Sequence, residues 1–267
     1  MDISYNAVDT LSDYLAAVEG HDTVIINYHD SLFRFLTKGD QDPTKHYAYV
    51  YHESHKPDLR DGVVINTDPG HPQGIPRPIA FNDTSVYPSP NILNPIIGSF
   101  GFGFANKNFD QIVELVQQQF DTATIRLLMP GAAWGDVEGN ETRASAERCR
   151  RALRKPGIKL SICHDFMEDT QLFAFLSQND LNIFLYPNFN GRGCSSVIDY
   201  VLGVNRPFAI SDSTMFRHIY DDRICVYKTP LQTIMNNGPI INSKYKDLWS
   251  PEKLANAVKK RLGDRQC

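Results

Sequence analysis

Along residues 109–116 the apolar side chains Phe109, Ile112, Val113 and Val116 fall three and four positions apart, the spacing of one helical face. The same period marks "NAVDTLSDYLAAV" near the start, through Val8, Leu11, Leu15 and Val18. "NETRASAERCRRALR" predicts a charged helix with Asn140 as its cap, and "EDTQLFAFLSQ" another helix. "SSVIDYVLG" predicts a helix closed by Gly203. "SPEKLANAVKKRL" predicts a last one, capped by Ser250 with Pro251 at its first position. Between these patterns lie short apolar runs rich in β-branched residues: "PIIGSFGF", "TIRLLMP", "IKLSICH", "LNIFLYP", "RPFAIS" and "RICVYK". Strands that are apolar on both faces and alternate with helices imply a parallel sheet covered on each side.

The first third differs. "TVIINYH", "HYAYVYH" and "GVVINTD" read as strands. A proline-rich stretch follows, with residues 88–95 as a linker. The expected organisation is a small α/β domain over residues 1–89 and a doubly wound α/β domain over 90–267. The last helix is expected to be free to pack back on the first part.

Composition narrows the partners. Of 267 residues, 42% are apolar and 22% charged, as in an ordinary globular protein, and the net charge of -4 argues against nucleic acid. The basic run "RCRRALRKPGIK" reads as a helix's polar face, because Cys149, Ala152 and Leu153 interrupt it at inward spacing. Five cysteines without a CxxC pair suit neither a disulfide framework nor a zinc site. With no signal peptide and no apolar run near the ~20 residues that span a bilayer, the expected location is cytoplasmic.

Open parallel sheets bind ligands beyond the carboxyl ends of their strands, near the reversal in strand order. Three loops there carry candidate chemistry. "GSFGFGFANKN" sets Gly101 among three glycines and Lys107 just before a helix, which reads either as a phosphate clamp or as a tight turn with a surface lysine. Neither GxxxxGK[ST] nor GxGxxG is matched. "CHDFMEDTQLF" offers His164, Asp165 and Phe166 as a base-binding wall, or Glu168 and Asp169 as mere caps. "NFNGRGCSSVIDY" has Gly191 and Gly193 before Cys194, Ser195 and Ser196, with Arg192 between them. Its amides at a helix start would suit a diphosphate, with Arg192 as counter-charge; the alternative is a serine-capped helix behind a glycine loop.

In order, these segments resemble the nucleotide-sugar-binding half of GT-B glycosyltransferases. More narrowly, they resemble the large retaining, family 4-like group that includes sucrose synthases. "GSFGFGFANKNFDQIVELV" is similar to that group's strand, glycine turn and lysine. "GRGCSSVIDYVLGVNRPFAISDS" is similar to its glycine loop, helix, G-x-x-x-P and strand. "GIPRPIAF" looks like its interdomain segment. The likeness runs over about residues 62–262. It departs where the group carries two glutamates. Asn190 holds the first position, and Ile198, or Asp199 with a one-residue shift, holds the second. Phe102 stands where an arginine precedes the lysine, and the acceptor-side domain is short.

The resemblance implies a GT-B-like fold and transfer of a sugar from a nucleotide-diphosphate donor, without a metal or other cofactor. The acceptor would be a glycan, lipid or protein. In the implied site, Lys107 neutralises the leaving phosphate, the amides of Gly193, Cys194, Ser195 and Ser196 hold the diphosphate, and Asp199 reaches a hydroxyl. His52 or His55 faces the reacting carbon. A metal set of His52, Glu53 and His55 lacks the HExxH spacing. Asp30, beside His29, is more simply a helix cap. The other reading is a catalytically weakened binding module of the same fold; a sugar-nucleotide epimerase would want paired carboxylates that are not evident.

Overall fold

The computed structural model describes residues 6–28, 35–52, 58–79, 90–133 and 135–263. It divides into two compact units. The first comprises Met1–Arg77, Gly191–Cys194 and Pro251–Cys267; the second comprises Pro78–Asn190 and Ser195–Ser250.

In the first unit, helix α1 (Leu11–Val18) precedes strand β1 (Thr23–Tyr28). Thr10 and Asp13 cap α1 reciprocally, so two donors of its first turn are satisfied. Tyr14 and Val18 form its buried face, whereas Leu15 is largely exposed. Strands β2 (His46–Tyr51) and β3 (Val63–Asn66) complete a parallel sheet of order β1-β2-β3. Alternate residues of β2 put Tyr47, Tyr49 and Tyr51 on one face, where their rings stack at 6.1 and 5.8 Å. The core is thus largely phenolic. The chain's last helix, α8 (Pro251–Gly263), packs beside β3, and Arg261 donates to the Pro72 carbonyl at 2.7 Å.

The second unit runs β4 (Ile96–Phe100), α2 (Phe109–Gln119), β5 (Ala123–Leu128), α3 (Asn140–Ala152), β6 (Ile158–Cys163), α4 (Asp169–Ser177), β7 (Leu181–Phe184), α5 (Val197–Gly203) and β8 (Phe208–Ile210). Two seven-residue helices follow, α6 (Leu231–Asn237) and α7 (Asn242–Leu248). The sheet is parallel throughout, in the order β6-β5-β4-β7-β8. The chain winds outward from β4 to β6, then returns to β4's other side with β7. The reversal in strand order therefore lies between β4 and β7.

Side-chain alternation sorts two cores. Ile125, Leu127, Leu181 and Ile183 pack with α2, α3 and α6 on one face; Leu128, Phe184, Phe208 and Ile210 pack with α4, α5 and α7 on the other. Each such side chain contributes about 1.5–3 kcal/mol by leaving water.

Several local expectations change. The cap of α3 is not Asn140: buried Asp136 accepts the amides of Glu141 and Thr142, each at 2.9 Å, and Gly139 at φ 68 turns the chain into the helix. Gly203 is the last helical residue of α5, and Asn205 takes the left-handed conformation beyond it, at φ 51. "RICVYK" is not a strand. Asp221 accepts Arg223's amide and guanidinium, a 3-10 turn forms at Asp222–Ile224, and only an isolated bridge joins Cys225 to Ile210.

Candidate functional site

The carboxyl ends of β4 and β7 flank the reversal in strand order, and the residues just beyond them meet. Gly101 follows β4 with φ 148, a conformation that side chains rarely adopt, and its amide donates to the Leu128 carbonyl at 3.1 Å. A Cβ built there would lie 3.6 Å from the Tyr186 hydroxyl and 3.7 Å from both Cδ and Cε of Lys107. Lys107 ends a 3-10 turn, Ala105–Lys107, just before α2. Its Nζ stands 3.9 Å from the centroid of the Tyr186 ring, a cation–π contact. Phe216 also packs against that ring, at 5.0 Å.

Tyr186 belongs to the loop after β7, which is held by side chains rather than by its own turns. Ser211 Oγ donates to the Tyr186 carbonyl and Ser213 Oγ to that of Pro187, both at 2.7 Å. Asn188 Oδ1 accepts the Thr214 amide at 2.8 Å. The Tyr186 hydroxyl is buried and has no hydrogen-bond partner. Ser195's side chain is its polar neighbour and acts against the larger effect of burial on the phenol. Burial pushes the phenol's pKa up, so it stays a neutral donor at physiological pH.

Gly101, Lys107 and Ser195 thus gather around a residue that the sequence reading passed over. Tyr186 was legible only as the end of "LNIFLYP"; its signal was an aromatic residue closing the strand that borders the reversal.

The glycine-loop candidates behave differently from expectation. The helix starts at Val197, not at Cys194, and is only two turns long. The Ser195 amide is not an unpaired donor, because it bonds the Met215 carbonyl at 2.9 Å. Ser195 therefore has only its side chain to offer here. Ser196 is exposed and its carbonyl accepts the Asp199 amide at 3.0 Å. Asp199, in the first turn of α5, puts a carboxylate near the Tyr200 hydroxyl. Ile198 is fully buried in the core. Arg192, Gly193 and Cys194 group with the first unit; Arg192 is exposed, Gly193 is buried, and Gly191 has φ 76.

At the end of β6, His164 Nδ1 lies 2.9 Å from the Met129 carbonyl. A carbonyl only accepts, so Nδ1 carries the proton and the neutral ring has Nε2 as its acceptor. Phe166 is 67% exposed, an aromatic face open to solvent. Glu168 caps α4 together with Gln171, and Asp169 accepts the Tyr200 hydroxyl at 2.9 Å. In the first unit, His52 follows β2 with Nε2 2.6 Å from Asn27 Oδ1, which makes Nε2 the protonated nitrogen. His29, Asp30, Glu53 and His55 lie outside the described residues. Among the described residues no group of His, Cys, Asp or Glu could hold a metal ion, and no helix is long and apolar enough to cross a membrane.

Solved structures share this architecture. HepE from Anabaena, determined in complex with UDP, matches 95% of this chain over 82% of its own, at TM-score 0.57 and 11% identity. The sucrose-phosphate synthase of Thermosynechococcus elongatus matches 95% over 72%, at TM-score 0.59 and 13% identity. The fold is GT-B. A trehalose-6-phosphate synthase has the same GT-B likeness at TM-score 0.52 and 10% identity, again over 95% of this chain. At such identities the likeness is one of fold, and the site's chemistry has to be argued from its own residues. No protein-family model matches the chain, and no curated protein matches it in sequence.

Proposed function

We propose that the chain is a glycosyltransferase that takes a glycosyl group from a nucleotide-diphosphate sugar and passes it to a glycan, lipid or protein acceptor. The single observation that carries this reading is the cluster at the reversal between β4 and β7. There a lysine, a buried phenol and a left-handed glycine meet where GT-B sheets have their ligand crevice.

Departure of a nucleoside diphosphate builds negative charge on the phosphate oxygen that leaves the sugar. A fixed cation beside that oxygen lowers the barrier, since its attraction is strongest when the charge has fully developed. Lys107 has that role. Its charge, with polar groups nearby, replaces what a divalent ion would supply, so the reading calls for no metal cofactor. His164 and exposed Phe166 offer a hydrogen-bonding edge and a stacking face for the nucleobase. Asp199 is the carboxylate for a sugar or ribose hydroxyl. His52, which donates to Asn27, is the side chain to assist at the reacting face. Gly193, Cys194, Ser196 and Arg192 remain candidates for the diphosphate, whereas the Ser195 amide is already used.

One observation favours a second reading, a binding module of the same fold with weakened catalysis. With Asn190 at the first acidic position and Ile198 sealed in the core at the second, Asp199 is the one carboxylate left to serve both.

The test is release of nucleoside diphosphate from a panel of UDP-, GDP- and ADP-sugars, with mono- and oligosaccharide acceptors. The transferase reading expects one donor to be consumed, and Lys107→Ala to slow that consumption by at least about tenfold. Tight donor binding with no release on any acceptor would establish the module instead, and binding of no donor would end both.

A further inference from the structure

The hydroxyls of Tyr14, Tyr47, Tyr51 and Tyr186 are buried without a hydrogen-bond partner, and of these that of Tyr186 lies at the strand reversal. Buried hydroxyls nearly always find a partner, because an unsatisfied one keeps its desolvation cost. Tyr186 is 4% exposed, and its hydroxyl has none. It does not face an apolar wall alone. Beside it are Ser195 and the bare backbone of Gly101, and the Lys107 ammonium rests on the same ring. A phenol packed only for volume would be as well served by phenylalanine, which carries no polar group to strand. The neighbours instead form a small polar corner at the strand reversal, with the Lys107 ammonium on the ring beside it.

We propose that Tyr186 is an anion-binding residue of this site: its ring seats the Lys107 ammonium, and its hydroxyl donates to an oxygen of the same phosphate that Lys107 binds. This rests on the transferase reading and deepens it, assigning the phosphate next to the sugar a second donor from the loop after β7, across the reversal. The two halves act in sequence. An incoming phosphate attracts the ammonium more strongly than a ring face does, since a full charge outweighs a quadrupole. Once the lysine has turned to the phosphate, the same oxyanion offers the hydroxyl the acceptor it lacks. Gly101 is part of the device: a side chain there would lie against both the hydroxyl and the lysine stem. Because the phenol stays neutral, it adds a donor without adding charge, so the corner favours an oxyanion without repelling Lys107.

Two substitutions separate the ring from the hydroxyl. Calorimetric titrations with UDP, GDP, ADP and inorganic pyrophosphate are run on the wild-type protein, Tyr186→Phe and Tyr186→Leu, with thermal melts of each. Tyr186→Phe is expected to weaken the tightest-binding diphosphate by about tenfold or more, the loss of one hydrogen bond to a charged acceptor. Its melting temperature should stay level or rise, because the stranded hydroxyl is gone. A purely structural role would give the opposite pair of results. Tyr186→Leu is expected to weaken binding further. Equal affinity in the wild-type protein and Tyr186→Phe would overturn the proposal while leaving the transferase reading intact. Binding of pyrophosphate but of no nucleoside diphosphate would overturn the transferase reading, with Tyr186→Phe against pyrophosphate still deciding this one. Binding of neither would overturn both.

Discussion

At Gly98 the backbone of β4 runs against Asn179, so closely that a Cβ would collide with the side-chain amide. That amide is not free to move aside. Asn179 donates to Asn182 Oδ1 at 2.8 Å and accepts from Arg126 at 3.2 Å, and it is fully buried. Gly98→Ala should therefore cost about 1–3 kcal/mol from overpacking, read in urea melts; an unchanged midpoint would show that the network yields. Residue-level chemistry was only half legible in the sequence. Lys107 stood out through its charge beside glycines, and it does meet Gly101. Of the three neighbouring glycines, Gly98 makes room for Asn179, whereas Gly101 takes the left-handed turn at the site. Tyr186 could not be singled out, because burial without a partner is a property of the packing and leaves no trace in spacing.

The strands and main helices followed directly from apolar period, since parallel strands buried on both faces leave continuous apolar runs. Caps and short elements did not. Asp136 caps α3 from outside the helix, closing a turn no local pattern announces, and Asp221 captures Arg223 before a strand can form. The seven-residue helices α6 and α7 were not predicted, whereas α5, equally short, was marked by the glycines on either side of it. The same two carboxylates carry a pH dependence. The hydrogen bonds from Thr142 hold Asp136 below the usual carboxylate range, and those from Arg223 hold Asp221 at about 2. A depressed carboxyl pKa stabilises the fold above the unfolded value of about 3.9 and loses that contribution as pH falls through the folded value. Thermal stability should therefore decline between about pH 4 and pH 2, less steeply in Asp136→Asn. A curve for Asp136→Asn parallel to that of the wild-type protein would remove the α3 cap from the cause.

At the scale of the molecule, a three-stranded parallel sheet with a phenolic core belongs to one unit, and a five-stranded doubly wound sheet to the other. The second unit's strand order alone sets where a ligand finds outward-turned loops, helix starts and a cleft, because only at the reversal do adjacent connections leave on opposite faces. The proposed roles of Lys107, Gly101 and Tyr186 depend on that location. The most direct measurement is a two-dimensional amide NMR titration of the full chain with the nucleoside diphosphate that binds best. The largest saturable shifts are expected at the amides of Gly101, Lys107 and Tyr186. Saturable shifts confined to residues away from the ends of β4 and β7, with those three amides unmoved, would contradict the account.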